Sequence, residues 1–261
     1  MTMQAIRELL HYSYLILSFA RRDVRARYKQ TALGAAWAVL QPLSLMIVFT
    51  LVFDRVARIP TGGTPYPIFS YSALIFWSFF STAMNQGTLA MTANSNLVRK
   101  IYFPRETLLL AVLLSASLDL VIACSMLAVL MVVFKVSVTW TVLWVPVLLV
   151  VQVLFTFALV CLTSAVHVYF RDIGHALTLG LQLWMFATPV AYPMSVVPEA
   201  VRPLYVLNPM APLIDGYRRA IVYGESPDLA RIGIVLVVVL VLMSFTYLGF
   251  KRAERTFADV I

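Results

Sequence analysis

Charged residues are scarce in this chain of 261 residues. Asp, Glu, Lys and Arg together make up 12% of it, whereas about a quarter is typical of a soluble domain. Apolar residues make up 61%. That surplus is more than one water-soluble core could bury, so the composition excludes an ordinary soluble protein and predicts an integral membrane protein.

The sequence also lacks the motifs of enzymes. No glycine is followed by lysine, which excludes a P-loop, and neither HExxH nor G-x-S-x-G occurs. The three histidines, His11, His167 and His175, have no metal-ligand spacing. Cys124 and Cys161 lie in apolar runs and read as small core residues. We therefore expect neither catalysis nor a bound cofactor on this chain.

Long apolar runs are present instead, and they predict six transmembrane helices. Each run has about 20 residues or more, enough to cross a hydrocarbon core of about 30 Å. Helices are the form that such runs take inside a bilayer. The predicted spans are 33–53, 66–91, 107–134, 141–168, 175–195 and 232–250. The predicted fold class is an all-α integral membrane protein with a single transmembrane domain over residues 1–261.

The distribution of positive charge predicts the orientation. Six spans place both termini on one side, and that side carries thirteen Lys and Arg residues against seven on the other. The positive-inside rule therefore predicts that both termini are cytoplasmic. Residues 1–32 form a cytoplasmic amphipathic and basic segment, and residues 251–261 form a cytoplasmic tail. The N-terminal residues do not read as a cleavable signal peptide.

Three segments outside the spans also have predicted structure. The pattern of residues 4–20 is typical of an amphipathic helix at the membrane interface. The loop that begins near Asn94 predicts a short helix ended by Pro104. Between spans five and six, a helix from Pro212 to Gly224 would be about 20 Å long, too short to cross, and predicts short re-entrant or gate helices.

Five of the nine residues from Arg21 to Lys29 are cationic. Arg21, Arg25 and Lys29 share a helical face by their spacing, and Asp23 is placed to pair with Arg27. Arg21, Arg25, Arg27 and Lys29 are the candidate contacts for a lipid pyrophosphate at headgroup depth, because guanidinium groups bind phosphate oxygens in a bidentate manner. Ordinary anchoring on anionic lipids explains the same charges. Both interpretations stay open.

Polar side chains inside the spans also allow two interpretations. Asp119 lies near the middle of span three, where an ionisable group is costly and by default a functional candidate; the alternative is a hydrogen-bonded acid sealed between helices. Gln41, Asn85, Gln152 and Gln182 also lie in spans. Such amides either tie helices together or line a path for a hydrophilic cargo. The many aromatics near span ends suit an interfacial belt or a glycan path.

Six motifs in one order carry a resemblance to a known family. They are RYKQTALGAAWAVLQPL (27–43), NLVRKIYFPRE (96–106), YFRDIGHAL (169–177), TPVAYPMSVVP (188–198), LNPMAPLIDGYRRAI (207–221) and ERTFADVI (254–261). Together they resemble the membrane subunits of ATP-binding-cassette exporters for O-antigen, capsule and other cell-surface polysaccharides or teichoic acids. The resemblance covers nearly the whole chain.

That resemblance implies a permease subunit of the inner (cytoplasmic) membrane that works as a homodimer with two ATPase subunits. ATP and Mg²⁺ would bind to the ATPase, and the cargo would be a lipid-linked glycan on a polyprenyl pyrophosphate or similar carrier. Nucleic acid is not an expected partner. The implied coupling helix, which would contact the ATPase, comprises Asn94, Ser95, Asn96, Leu97, Val98, Arg99 and Lys100. The implied outer gate comprises Pro198, Asn208, Pro209, Asp215, Tyr217, Arg218 and Arg219.

Three other functions compete with this one. An exporter of a drug or another small lipid-like compound would belong to the same superfamily. A proton-coupled carrier would use Asp119, but no basic partner is present in the spans. A membrane enzyme acting on lipid-linked sugars would need acid/base pairs that the sequence lacks. In the exporter, Leu97 and Val98 would supply an apolar dock for the ATPase.

Overall fold

A computed structural model of the chain describes residues 12–201, 205 and 207–261, with the backbone alone at 258 and 259. These residues form helices joined by short turns, and no strand occurs among them. The first part of the predicted interface helix, residues 4–11, lies outside the described residues, as does Arg202. The all-helical prediction is confirmed for the part of the chain that is described.

Five of the helices are long and apolar enough to cross a membrane. We number the helices in chain order, beginning with α1 (Ser13–Tyr28). The five long elements are α2 (Gly34–Val56), α3 (Tyr66–Ala93), α5 (Glu106–Val133), α6 (Trp140–Tyr169) and α9, which begins at Leu229 and is regular to Ala253. Helices α2 and α6 each begin with a 3₁₀ turn, and another 3₁₀ turn follows Ala253 at the end of α9. Helix α2 ends in a π-helical segment, Thr50–Val56. These elements correspond to predicted spans one, two, three, four and six.

The fifth predicted span, 175–195, is corrected by the structure. Its helix, α7, runs from Ile173 to Ala187, which is 15 residues or about 22 Å. Thr188 is already extended, with φ −106° and ψ 141°, because a residue that precedes proline disfavours the helical region and Pro189 follows it. Six complete spans are therefore not confirmed.

Helix α3 is the centre of the bundle. Most of its apolar stretch is buried, whereas few residues of α2 are. It packs against α2, α5, α6 and α7. Gly87 is required at the closest approach to α6, because a Cβ there would come within 2.5 Å of the Val160 side chain. On the other side, the ring of Trp184 in α7 meets Phe80 edge-on at 5.2 Å.

Short helices cap the two ends of the bundle. One end, called here the terminal end, carries α4 (Ser95–Lys100) and the C-terminal helix α10 (Phe257–Val260), which pack together. The opposite end carries α8 (Met210–Arg218), which continues as a π-helical segment to Tyr223. That segment ends at Gly224, whose φ of +66° is the left-handed conformation that favours glycine. The predicted stop at Gly224 is confirmed, while the helix begins at Met210, two residues before Pro212.

Candidate functional site

The basic stretch lies on α1, which packs along α5. Arg21, Arg25 and Lys29 are all exposed, as their common spacing predicts. Arg27 lies on the other face of α1, turned toward the bundle and only partly accessible. The four cations proposed to share one ligand are therefore divided between two faces of the helix. Asp23 pairs with Arg22 at 2.8 Å, so the predicted pairing of Asp23 with Arg27 is wrong.

Arg27 forms an ion pair with Asp119, in the middle of α5. The Arg27 guanidinium also donates to Gln86 of α3 and, at 2.9 Å, to the hydroxyl of Ser115. The Tyr28 hydroxyl donates to the other oxygen of Asp119 at 2.7 Å. The Asp119 carboxylate thus accepts hydrogen bonds from the last two residues of α1, Arg27 and Tyr28. Through Arg27, α1 is joined to both α3 and α5.

Asp119 lies about 20 Å along α5 from Glu106, the first residue of that helix. The network explains how an acid is tolerated at that position. A buried acid requires a partner and hydrogen bonds, and Asp119 has both. Burial lowers the pKa of Arg27, yet an arginine stays protonated at physiological pH. The sequence showed no basic partner because the partner lies outside the spans, in a helix that only the tertiary fold brings beside α5.

A polar cavity of about 170 Å³ lies between α1, α2, α3 and α5, next to this ion pair. Its lining includes Trp37, Gln41, Ser78, Thr82, Gln86 and Asp119. Trp37 and Gln41 are exposed, so the cavity is accessible along α2. Gln41, one of the intramembrane polar residues singled out in the sequence, is therefore beside Asp119 in space, although 78 positions separate the two.

A polar stripe runs along the accessible face of α3. From Trp77 to Gly87 every apolar residue and glycine is buried, and each residue that retains exposure is polar. These residues recur with the spacing of one helical face: Ser78, Ser81, Thr82, Asn85 and Gln86. The Asn85 side-chain oxygen accepts a hydrogen bond from Thr178 of α7 at 3.0 Å. Between residues 77 and 87, α3 thus keeps only hydrophilic groups accessible, and this part of its face is unsuited to lipid contact.

The other two predicted intramembrane amides have different environments. Gln152 is fully buried in α6, where its amide donates to the Phe76 carbonyl at 2.8 Å and its oxygen accepts from the Tyr217 hydroxyl at 2.7 Å. Tyr217 also stacks on Phe76 with ring centroids 3.5 Å apart. Gln152 therefore ties α3, α6 and α8 together. Gln182, in contrast, is exposed on α7.

Arg218 organises the opposite end of the bundle. It is 2% exposed, and its guanidinium lies 3.7 Å from the centre of the Phe69 ring. It donates to four main-chain carbonyls, those of Phe69 (3.2 Å), Tyr192 (3.3 Å), Pro189 and Val190. Burial lowers the pKa of Arg218 to about 10, so the side chain stays cationic at neutral pH. It fastens α8 to the segment that follows α7.

The remaining predicted gate residues surround α8. Asn208 accepts from the Trp184 indole at 3.0 Å and from the backbone NH of Met210 at 3.1 Å, and Pro209 is the N-cap position of α8. Arg219 pairs with Glu225 at 3.0 Å, and Pro198 is exposed. Burial raises the pKa of Asp215, which lines a cavity of about 830 Å³ between α8 and the start of α9.

The segment that the resemblance implies as the coupling helix forms the short helix α4. It begins at Ser95 after Asn94 and ends at Lys100, four residues before Pro104. The Asn94 amide donates to the Ala90 carbonyl at 2.8 Å and does not cap the helix. Val98 is 2% exposed and packs into the core, and Leu97 is half-buried against it. The expected apolar dock is therefore wrong for Val98; the exposed residues of α4 are Asn96, Arg99 and Lys100.

A further cluster at the terminal end was missed by sequence reasoning. Phe257 is fully buried between the rings of Phe250 and Tyr169, and Lys251 bridges Glu106 and Glu254 at 2.9 Å each. We call these residues the C-terminal clamp. The available signal was an aromatic residue, Phe257, that follows a charged stretch, 251–255, in the tail.

Comparison with known proteins places this architecture in a family. The sequence pattern of the ABC-2 type transporter family matches residues 14–222, most of the chain. The chain belongs to the ABC-2 type transporter family. Several curated proteins are similar to the chain: an O-antigen export system permease protein RfbA of Myxococcus xanthus is 33% identical over 260 residues, covering 98% of both chains. A protein of the same name from Klebsiella pneumoniae is 24% identical, covering 95% of both. The polysialic acid transport protein KpsM of Escherichia coli is 21% identical over 216 residues, which cover 78% of this chain and 79% of KpsM.

Members of the ABC-2 family are transport components, and this assignment agrees with the predicted resemblance. The family match and the apolar helices together make this chain a multi-pass membrane protein. The family match also implies an ATPase partner, since ABC transporters are driven by separate or fused ATPase units.

Proposed function

We propose that this ABC-2 permease exports a lipid-linked cell-surface glycan of the O-antigen type across the cytoplasmic membrane. The polar stripe on α3 carries this proposal, because a hydrophilic face in a transmembrane bundle suits a path for a hydroxyl-rich cargo. The similarity to RfbA proteins over almost the full length supports the same cargo class. A small lipid-like drug would make little use of five adjacent polar groups.

The working unit is proposed to be a homodimer, with ATP and Mg²⁺ bound by two partner ATPases. Helices α2 and α7 leave large apolar side chains exposed, including Leu51 at 58% and Leu183 at 65%. A second copy that covers these helices would enclose the polar stripes of both chains. The exposed face of α4 is the proposed contact for the ATPase, and the terminal end of the bundle is proposed to be cytoplasmic, as the excess of Lys and Arg there favours.

The exposed cations of α1 are proposed to receive the anionic headgroup of the lipid carrier. Arg21, Arg25 and Lys29 have no ion-pair partner among the described residues. Arg27 is already paired with Asp119, so it is assigned to positioning α1 and not to headgroup binding.

The experiment is a deletion and complementation in the native host. Loss of the permease should abolish the surface glycan and cause the lipid-linked glycan to accumulate on the cytoplasmic side, and the wild-type gene should reverse both effects. Affinity purification of the tagged permease should recover an ATPase. Normal surface glycan in the deletion strain would contradict the proposed cargo, and a purified permease without an ATPase would contradict the proposed assembly.

A further inference from the structure

The polar cavity beside the Arg27–Asp119 pair contains hydrogen-bonding groups that the protein itself does not use. Gln41, Ser78 and Thr82 all line it. None of these three side chains has a hydrogen-bond partner among the described residues; the bond that Ser78 accepts, from the Ser81 hydroxyl, goes to its main-chain carbonyl. By contrast, Gln86 and Asp119, which share the lining, are engaged by Arg27. Part of the lining is thus already hydrogen-bonded within the protein, and the remainder presents two hydroxyls and an amide.

The charge of the cavity favours a neutral ligand. Its two charged groups, Arg27 and Asp119, neutralise each other. A phosphate would have to displace Asp119 from Arg27 and would then lie beside an unpaired carboxylate, which is unfavourable. A neutral hydroxylated group needs no such exchange, because hydroxyls and amides can both donate and accept.

The volume of the cavity and its aromatic lining further limit the class of ligand that would fit. The indole of Trp37 is 51% exposed at the edge of the cavity, and the ring of Tyr28 is part of the wall. Flat aromatic faces beside hydroxyls and amides suit a sugar ring, which has an apolar face and polar edges. Pockets for drug-sized molecules measure about 300–1,000 Å³, so a cavity of about 170 Å³ has room for one monosaccharide-sized group and not for a longer segment.

We propose that this cavity is a subsite for a single sugar residue of the glycan, with Gln41, Ser78 and Thr82 as hydrogen-bonding groups and Trp37 as the stacking surface. The proposal rests on the proposed function, since it names the part of the cargo that this site receives. The Arg27–Asp119 pair, through its bond to Gln86, ties α1 to the part of α3 that carries Ser78 and Thr82. The cavity lies against α1, so the sugar bound there would be one close to the lipid carrier.

The test uses the assembled permease–ATPase complex in lipid nanodiscs and measures ATPase stimulation by two synthetic probes. One probe is farnesyl diphosphate, and the other is farnesyl diphosphate carrying one N-acetylglucosamine. The test variant is Ser78→Ala with Thr82→Val, which removes two hydroxyls at nearly constant shape. The matched control is Ser244→Ala with Thr246→Val in α9, where both hydroxyls bond to their own helix. Size-exclusion chromatography checks that each complex is intact.

In the wild type, half-maximal stimulation should require about tenfold less of the sugar-bearing probe than of farnesyl diphosphate, as expected for two or three hydrogen bonds. The Ser78/Thr82 variant should respond to both probes at the same concentration, and the control should behave as wild type. A wild type that does not distinguish the probes, or a test variant that still does, overturns the sugar subsite while the export function stands. No stimulation of the wild type by either probe would overturn the proposed cargo together with the subsite.

Discussion

The Arg27 guanidinium of α1 is paired with the Asp119 carboxylate of α5, 92 positions away in the sequence. Removing one partner of a fully buried pair typically costs about 3–5 kcal/mol; these two side chains are 22% and 18% exposed, so a smaller loss is expected here. We predict that Asp119→Leu lowers the thermal stability of the purified permease. Arg27→Met combined with Asp119→Leu should recover most of that loss, since it removes both charges. If the double variant is as unstable as Asp119→Leu, the pair does not account for the stability of α1 docking.

The exposed arginines of α1 provide a test of headgroup recognition. Arg21→Lys with Arg25→Lys keeps the net charge, so membrane insertion should be normal. Export should nevertheless fall, because lysine lacks the planar fork that binds phosphate in a bidentate manner. The ratio of surface glycan to cytoplasmic glycan at matched protein levels gives the answer. Anchoring on anionic lipids instead predicts wild-type export in the Lys pair and failure only when both arginines become Gln.

The exposed face of α4 provides a test of ATPase coupling. Asn96→Asp with Lys100→Glu changes two exposed side chains and leaves the buried Val98 in place. We expect normal membrane abundance, but a weaker recovery of the ATPase on co-purification and a matching loss of export. Val98→Asp is the contrasting variant, in which burial of an unpaired acid should reduce the abundance of the permease itself. Full ATPase recovery with the Asn96/Lys100 variant would remove this face from the interface.

The C-terminal clamp should hold α4 in position. Arg99 donates to the carbonyl of Ile261, and the buried Phe257 ring anchors the same tail. Truncating a buried Phe to Ala typically costs about 3–5 kcal/mol in a packed core. Phe257→Ala should therefore release the tail, seen as faster proteolysis after Arg255, and reduce ATPase-driven export. Arg255→Gln in the exposed part of the tail is the control for export, and equal export in both variants would refute a role for the clamp.

The orientation of the bundle can be tested by thiol labelling in a background without Cys124 and Cys161. Ser137→Cys and Ser226→Cys, both exposed at the opposite end, should react with an impermeant reagent in intact cells. Asn96→Cys and Arg255→Cys, exposed at the terminal end, should react only after the membrane is opened. The reverse pattern would place the termini outside. Labelling of Ser137→Cys and Arg255→Cys from outside, without labelling of Ser226→Cys, would show that α7 and the segment after it do not return the chain across the membrane.

Much of the helical architecture was predictable because it depends on local composition. The apolar runs of α3 and α5 are long enough to define a span wherever they lie in the bundle. The fifth span was predicted too long, since its apolar composition continues past Thr188 while the backbone stops being helical before Pro189. A hydropathy pattern measures how apolar a run of residues is, and it does not register where the backbone stops being helical.

The sites were less predictable, because they depend on which faces meet. The i, i+4 spacing of Arg21, Arg25 and Lys29 correctly predicted one exposed face, since helical periodicity alone decides which residues share a side. The partner of Asp119, the burial of Val98 and the four carbonyls around Arg218 all come from segments distant in the sequence. Their pairing is a property of how the helices pack.

The sequence by itself determined that this is a membrane protein built from apolar helices. It also determined the family that it resembles, because six motifs occur in the order found in polysaccharide exporter subunits and no P-loop is present. Only the tertiary structure decided which polar groups are hydrogen-bonded within the protein and which remain available to a ligand. It joined Arg27 to Asp119 and left Ser78 and Thr82 facing the cavity beside them. The physical reason is that burial and hydrogen bonding depend on the distance between side chains in space, and no local pattern in the sequence encodes the distance between α1 and α5.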